Sequence, residues 1–171
     1  MTNTGLDPDE PASVRPGAIV RAVDDDVHMG LALSLAREAA ADAEVPVGAI
    51  VLLDGRVVGR GRNRSVAACD PTAHAEIVAL REAADRLGSP RLDGATLCVT
   101  LEPCLMCCGA LLEARIARLV FGAREPRTGA VLSAFETLMP AARHGHRVAI
   151  REGVRAAEAA ALMGAFFADR R

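Results

Sequence analysis

The chain has 171 residues, of which 51% are hydrophobic and 25% charged, and its formal net charge is −2. This composition excludes a disordered chain, and the length favours one domain whose core folds without disulfide bonds. Apolar runs are far shorter than a membrane span, and the first 25 residues contain no apolar block of the secretory type. We therefore expect no membrane partner.

The chain begins with an acidic stretch that contains several prolines. It predicts a flexible tail over residues 1–25, followed by one domain over residues 26–171. Apolar side chains recur every four positions in the Ala-rich segment after the tail, at Val27, Leu31 and Leu35. This spacing predicts an amphipathic helix over residues 26–42, with the preceding aspartates favouring its N-terminal end.

Strands and helices alternate through the rest of the chain. Apolar runs and turn signals predict strands over residues 47–53, 56–61, 96–101, 119–121 and 147–150. Helical spacing and capping signals predict helices from Asp70-Pro71 to Gly88, from Pro103 to about Ala114, and over residues 155–168. The Asp54-Gly55 pair predicts a hairpin, and the strand–helix–strand order of residues 96–121 predicts two parallel neighbours.

The five cysteines favour metal or redox chemistry over a disulfide framework. They are Cys69, Cys98, Cys104, Cys107 and Cys108. Their number is odd and three of them lie close together, a pattern typical of a reducing compartment. We therefore expect a cytoplasmic protein.

Two short segments carry candidate catalytic groups at the starts of predicted helices, residues 71–76 and residues 102–107. Cys104 and Cys107 are three positions apart, so they share a helix face and suit a tetrahedral zinc ion. His74 can supply a third, neutral ligand, and the open fourth position would take a water whose pKa zinc lowers to about 7. Glu76 can shuttle protons beside that water. This arrangement suits hydrolytic deamination of an amidine carbon.

Each half of this arrangement also has a simpler interpretation. His-x-Glu is common at helix starts, and Cys-x-x-Cys alone can be a redox pair or half of a structural zinc site. The redox interpretation leaves His74 and Glu76 unexplained. A structural site needs a fourth ligand, for which the remaining thiols are Cys69, Cys98 and Cys108. We expect none of the three to bind metal. Cys69 is predicted to lie in a loop and Cys98 in the core of a strand, and Cys108 points away from the helix face that Cys104 and Cys107 share.

His-Ala-Glu followed by Pro-Cys-x-x-Cys resembles the signature of the zinc-dependent nucleoside and nucleobase deaminases. Further segments resemble consecutive blocks of the bacterial tRNA-specific adenosine deaminases, and the likeness runs from about residue 27 to the end. The matching segments are residues 44–49, 61–63, 70–77, 100–107, 122–124, 127–130, 166–167 and 170–171. A His first ligand also differs from the cytidine deaminases that use three Cys.

The resemblance implies an α/β protein with the three-layer α/β/α cytidine deaminase-like fold and a central mixed sheet of about five strands. It implies a homodimer with one zinc ion per subunit that converts adenosine to inosine at the wobble position of the tRNA anticodon loop. By position, the zinc ligands would be His74, Cys104 and Cys107, and the proton shuttle would be Glu76. Asn63 would contact the flipped base, and the backbone near Ala75 would face the substrate.

The chain departs from this family at three places. Glu125 stands where the family usually has Asp in an RNA-contacting loop, and Gly145 stands where Asn often precedes His. Cys98 stands where the strand before the zinc-binding helix often has Tyr. Near the C-terminus, Phe166 or Phe167 could stack on an anticodon base beside Arg170, since aromatic and arginine side chains hold single-stranded RNA. Packing in the core of a helix is the alternative for either phenylalanine.

Three other functions remain open from the residues alone. The first is deamination of a free base or nucleoside of the guanine or cytosine type. The second is a zinc-stabilised binding module without catalysis. The third is a thiol redox protein, which activity that needs dithiol chemistry instead of zinc would indicate. Activity on small substrates would indicate the first, and a closed site with four protein ligands would indicate the second.

Overall fold

The structure is a computed structural model that describes residues 22–138 and 145–168. Its helices are α1 (Ala22–Ala41), α2 (Ala75–Leu87), α3 (Leu105–Glu113) and α4 (Ala156–Ala168). Its strands are β1 (Gly48–Leu53), β2 (Arg56–Arg62), β3 (Thr96–Leu101), β4 (Arg118–Ala123) and β5 (Ala149–Arg151). Within these residues, no helix combines the length and apolar character that a membrane span needs.

The five strands form one mixed sheet in the order β2-β1-β3-β4-β5. The hairpin pairs β1 with β2, and β1 also pairs antiparallel with β3. β3 pairs parallel with β4, and α3 provides the crossover that this pairing requires. β4 also pairs parallel with β5. The predicted hairpin, crossover and mixed five-stranded sheet are thus confirmed.

Helices cover both faces of the sheet, which confirms the three-layer architecture. Alternation along β3 shows the division: Leu97 and Val99 pack in a core with α2 and α3, whereas Cys98 packs with α1 and α4. A strand directs successive side chains to opposite faces, so each buried strand supplies both cores. Phe121 of β4 is a fully buried member of the α2 and α3 side.

Two glycines of β2 let α2 lie unusually close to the sheet. A Cβ atom at Gly61 would lie 2.1 Å from the carbonyl oxygen of Ala75, and one at Gly59 would lie 2.2 Å from that of Ala79. No side chain fits in such a gap, so glycine is required for this packing. The close approach brings the N-terminus of α2 beside the end of β2, where Asn63 follows.

The first helix begins at Ala22, four residues before its predicted start. Asp25 accounts for the difference, because it is buried and accepts hydrogen bonds from Arg118 at 2.7 and 2.6 Å and from Arg151 at 2.5 Å. The hydrogen bond from Arg118 also holds the pKa of Asp25 below its usual value. Residues 22–25 therefore belong to α1 and not to the predicted tail. Residues 1–21 lie outside the described part of the chain.

The second helix begins at Ala75, five residues after the predicted Asp70-Pro71 start. Asp70 instead closes a turn: its Oδ1 accepts the backbone N–H of Thr72 at 2.8 Å and the hydroxyl of Thr72 at 2.7 Å. Such local bonds from Asp compete with helix formation. His74 is therefore the N-cap of α2, and the predicted end at Gly88 is confirmed by its left-handed C-cap conformation.

Candidate active site

The three predicted ligands meet where two helices begin. His74 caps α2, Cys104 caps α3, and Cys107 lies in the first turn of α3. The Nδ1 atom of His74 lies 3.7 Å from the Sγ atom of Cys104 and 3.6 Å from that of Cys107. All three candidate ligand atoms lie within 4.8 Å of one another. The positive ends of both helix dipoles point at this cluster, which favours thiolates.

This donor set fits a zinc ion. Tetrahedral zinc with bonds of about 2.0 Å to nitrogen and 2.3 Å to sulfur places those atoms about 3.5 Å apart. The two nitrogen–sulfur distances in the structure match that spacing. Two thiolates and one imidazole are ligands that zinc prefers, and they leave a position for water or substrate.

The other three thiols lie away from the cluster. Cys69 is exposed in a loop and Cys98 is buried in β3. Cys108 donates weakly to the carbonyl oxygens of Pro103 at 3.7 Å and Ala130 at 3.6 Å. Burial raises the pKa of Cys98 and of Cys108 to about 12, so both remain protonated and poor as ligands. Within the described residues, no fourth protein ligand joins the cluster, which argues against a closed structural site.

A hydrogen bond between the two ligand thiols shifts their pKa values in opposite directions. The hydrogen bond from Cys107 lowers the pKa of Cys104 to about 3, and the same bond raises the pKa of Cys107 above its usual value. The hydrogen bond with Cys104 raises the pKa of His74. Because a metal ion requires deprotonated ligands, its binding would displace these protons.

Glu76 lies in the first turn of α2 and is 4% exposed. Burial raises the pKa of its carboxyl group above the usual value, because a buried site disfavours the charged form. His74, Cys104 and Glu76 all line one cavity. A proton-transfer group thus lies beside the candidate metal ligands, the combination that general acid–base catalysis requires.

The cavity has a volume of about 330 Å³ and collects residues from distant parts of the chain. Its wall includes the predicted substrate residues Asn63 and Glu125. The remaining lining residues are Ala43, Glu44, Val45, Val47, Ser65, Val66, Leu101, Glu102, Arg127, Thr128, Met163 and Phe167. A cavity of this size suits a nucleobase and part of its sugar.

Two other predicted substrate residues, Ala75 and Phe166, are not among the residues that line the cavity. Ala75 is fully buried with its side chain in the core, at the first helical residue after His74. Phe166 is 8% exposed and is not among the residues that line the cavity, so its contact with an anticodon base stays a prediction. Phe167 is 45% exposed and lines the cavity. Its ring packs edge to face against the ring of Phe166, with 5.3 Å between the ring centroids. Arg170 lies outside the described residues.

Helical spacing explains which phenylalanine faces the cavity. Ala159 and Phe166 are seven positions apart and are the two buried residues of α4. Met163 and Phe167 are four positions apart, and both line the cavity. Positions three, four or seven apart share a helix face, so each pair marks one face of α4. This spacing was the signal that could have selected Phe167.

Two buried glutamates that sequence reasoning missed organise the cavity wall. Glu44 accepts hydrogen bonds from the side chain of Asn63 and from the loop after it. Glu102 holds residues 125–133: it accepts the backbone N–H groups of Glu125, Val131, Leu132 and Ser133 at 3.1, 3.1, 2.7 and 2.9 Å, and the Ser133 hydroxyl. The available signal was a charged residue next to an apolar strand, since Glu44 precedes β1 and Glu102 directly follows β3.

The Glu102 carboxylate is held in its charged form. Burial would raise its pKa, but the hydrogen bonds from Ser133, Leu132 and Glu125 lower it below the usual value. Accepting several N–H groups favours the ionised carboxylate. The loop that carries Glu125, Arg127 and Thr128 along the cavity is therefore fixed by one charge.

Comparison with known proteins places this geometry in a family. The family described as the cytidine and deoxycytidylate deaminase zinc-binding region matches residues 22–123. The chain is 46% identical to a tRNA-specific adenosine deaminase of Haemophilus influenzae over 155 residues, which cover 90% of this chain and 89% of that protein. A solved structure from a study of A-to-I editing by tRNA:A34 deaminases at the wobble position of transfer RNA has a TM-score of 0.76. It is 46% identical, and the match covers 80% of this chain and 98% of that one.

A longer relative contains a matching segment. The chain is 53% identical over 150 residues to a tRNA(Ile)-lysidine synthase of Deinococcus radiodurans, and the match covers 86% of this chain and 25% of that protein. The chain thus spans about a quarter of the length of this relative. The family match and the near full-length likeness to the Haemophilus protein agree with the His/Cys/Cys cluster beside a buried glutamate. The chain therefore belongs to the zinc-binding cytidine and deoxycytidylate deaminase family, and within it to the bacterial tRNA-specific adenosine deaminases.

Proposed function

We propose that the protein hydrolytically deaminates adenosine to inosine at the wobble position of tRNA. The observation that carries this proposal is the His74, Cys104 and Cys107 cluster beside the buried Glu76, in a cavity of nucleobase size. The tRNA-specific relatives support the substrate. The proposal includes one zinc ion per subunit, a homodimer and a cytoplasmic location.

The reaction exchanges the amino group at C6 of adenine for the oxygen of water and releases ammonia. A zinc ion held by the three ligands would supply the Lewis acidity that activates water at neutral pH. Glu76 accepts a proton from water at its carboxylate while the water oxygen bonds to C6 of the base, and it delivers that proton to the ring nitrogen N1. Glu76 then moves the proton of the new C6 hydroxyl to the amine, the C6–N bond breaks, and ammonia leaves. Burial keeps that carboxyl group away from bulk solvent and raises its pKa above the usual value, which favours the protonated form that delivers the proton.

The rest of the cavity would hold the nucleotide. Asn63 would bind the base edge, and Phe167 would offer a stacking face at the mouth. Glu125 lies on the wall with its Oε1 atom accepting the backbone N–H of Arg127 at 2.9 Å, so its longer side chain stays folded against its own loop. An anticodon loop is already single-stranded, which keeps the cost of moving the adenosine into the cavity small.

The test uses purified, zinc-loaded protein and an anticodon stem-loop with adenosine at the wobble position. Nuclease digestion and mass spectrometry would measure inosine, with free adenosine, guanine and cytosine assayed in parallel. We expect inosine in the RNA and little turnover of the small substrates. A matched stem-loop with the adenosine moved one position along the loop controls for position.

The alternatives give different results. Turnover of guanine or cytosine without inosine in the RNA would retain the chemistry and overturn the tRNA substrate. No turnover of any of these substrates by zinc-loaded protein would favour the binding module. Metal analysis and light scattering on the same sample would test one zinc per subunit and the homodimer.

A further inference from the structure

Glu44 is a buried glutamate at the junction between α1 and β1, and it is 1% exposed. The chain turns inward just before it, because Ala43 adopts a left-handed φ of 61° and the Glu44 N–H donates to the carbonyl of Ala39 at 2.9 Å. A left-handed residue commonly closes a helix C-terminus in this way. The turn brings the Glu44 side chain from the end of α1 to the cavity wall.

Both carboxylate oxygens of Glu44 accept hydrogen bonds. Oε2 accepts from the Asn63 side-chain nitrogen at 3.0 Å, and Oε1 accepts the backbone N–H groups of Val66 at 2.9 Å and Ala67 at 2.8 Å. All three partners are donors, which a carboxylate can satisfy and a neutral amide cannot satisfy in full. One side chain thus joins the end of β2 to the next loop, and Asn63 and Val66 both line the cavity.

Asn63 keeps little freedom beyond rotation of its amide. Its backbone N–H donates to the Val47 carbonyl at 3.0 Å, and the next N–H, that of Arg64, donates to the Ala73 carbonyl at 3.1 Å. Its side chain is nearly buried, so water cannot readily replace a lost partner. Because a carboxylate only accepts, Nδ2 must face Glu44, and Oδ1 takes the other side of the amide.

We propose that Glu44 is a positioning residue for substrate recognition. Its carboxylate fixes the orientation of the Asn63 amide, and thereby determines which hydrogen-bonding atoms Asn63 presents to the nucleobase. This inference rests on the proposed function, in which Asn63 meets the base. Glu44 itself supplies no proton and binds no metal in this scheme.

The Glu44→Gln substitution tests the role of acceptor, since it keeps the size of the side chain. If the Gln oxygen retains the N–H groups of Val66 and Ala67, its NH2 group faces Nδ2 of Asn63, and two donors oppose each other. A half-turn of the Asn63 amide relieves this conflict and reverses the atoms presented to the cavity. We expect kcat/KM for the stem-loop to fall about 10- to 100-fold with zinc content unchanged, the loss expected for one mismatched buried hydrogen bond.

A double-mutant cycle with Asn63→Ala separates positioning from a general structural effect. Single-turnover rates with excess protein would be measured for the wild type, both single variants and the double variant. If Glu44 acts through Asn63, Glu44→Gln costs no more than about twofold once Asn63 is Ala. Glu102→Gln is the matched control, because it alters another buried carboxylate whose partners lie in residues 125–133. Its loss should be equal in both backgrounds.

The outcomes are distinguishable. If the losses from Glu44→Gln and Asn63→Ala multiply, Glu44 does not act through Asn63 and the inference is overturned. An inactive wild type would instead count against the proposed function. Thermal unfolding of the same four proteins tests the inference even if Glu44→Gln is unstable. Asn63→Ala removes the donor that opposes the new NH2 group, so the double variant should regain part of the stability that Glu44→Gln loses. No recovery would contradict the proposed clash between the two donors.

Discussion

Replacing Glu102 with Gln should destabilise the protein through the loop that carries Glu125, Arg127 and Thr128. The Oε1 atom of Glu102 accepts three successive backbone N–H groups, and Oε2 accepts the N–H of Glu125 and the hydroxyl of Ser133. In the variant, one oxygen can keep the three successive N–H groups. The new NH2 group then faces the Glu125 N–H, and two donors oppose each other.

The magnitude follows from these contacts. Leaving the Glu125 N–H without an acceptor costs about 1–3 kcal/mol. The three remaining N–H bonds change from charge-assisted to neutral and lose roughly half their strength, which brings the total to about 3–5 kcal/mol. Ser133 adds little to the loss, because its hydroxyl can rotate and accept from the new NH2 group. The free energy of unfolding of a single domain is about 5–15 kcal/mol, so the variant should still fold.

Urea unfolding of zinc-loaded wild type and Glu102→Gln, followed by circular dichroism, measures the difference at several pH values. Because the folded pKa of Glu102 is lowered, its contribution is present above the unfolded pKa of about 4.3 and is lost as pH falls through the folded pKa. The stability difference should therefore be largest near neutral pH and shrink below about pH 4. Equal stability of the two proteins at neutral pH would refute this account. Ser133→Ala, which removes only the hydroxyl contact, should cost about 1 kcal/mol.

Three further substitutions test the site and its support. Glu76→Gln should lower turnover about 10²- to 10⁴-fold while metal analysis shows unchanged zinc, since only the proton shuttle is lost; full activity would exclude that role. Cys107→Ser should release zinc, measured by metal content after dialysis, and retention of zinc at the wild-type level would contradict the ligand set. Gly61→Ala places a Cβ atom 2.1 Å from the Ala75 carbonyl and should cost about 1–3 kcal/mol in thermal unfolding. In the control Gly109→Ala, no atom outside the adjoining residues and the helix backbone lies within 4 Å of the new Cβ atom. This substitution should stabilise α3 by about 0.5–1 kcal/mol.

Features set by neighbouring residues could be predicted from the sequence. The strand over residues 96–101 and the hairpin at Asp54-Gly55 agree with the structure, because apolar runs and turn residues act locally. The candidate zinc ligands could also be predicted, since Cys104 and Cys107 lie on one helical turn and His74 begins another. The chemistry of these residues is readable in the sequence because zinc selects few side-chain types.

Helix starts were predicted less well because competing partners decide them. Asp70 precedes Pro71, a normal helix opening, but its carboxylate binds Thr72 and closes a turn instead. Asp25 extends α1 because Arg118 and Arg151 neutralise it from 93 and 126 residues away. Neither arginine could be paired with it from sequence spacing alone.

The parts of the cavity wall that escaped prediction share one physical property. Glu44 and Glu102 hold their loops mainly through backbone N–H groups, which every residue except proline carries and which leave no mark in the sequence. A ligand cluster can be recognised by the side chains it requires, whereas a carboxylate that organises a loop can be recognised only once its donors are located. In the sequence, such a carboxylate shows only as a charged residue beside a buried strand, where an unpaired charge would be costly. Since such a charge must find donors, buried carboxylates that flank a recognised motif are the residues to test first for positioning roles.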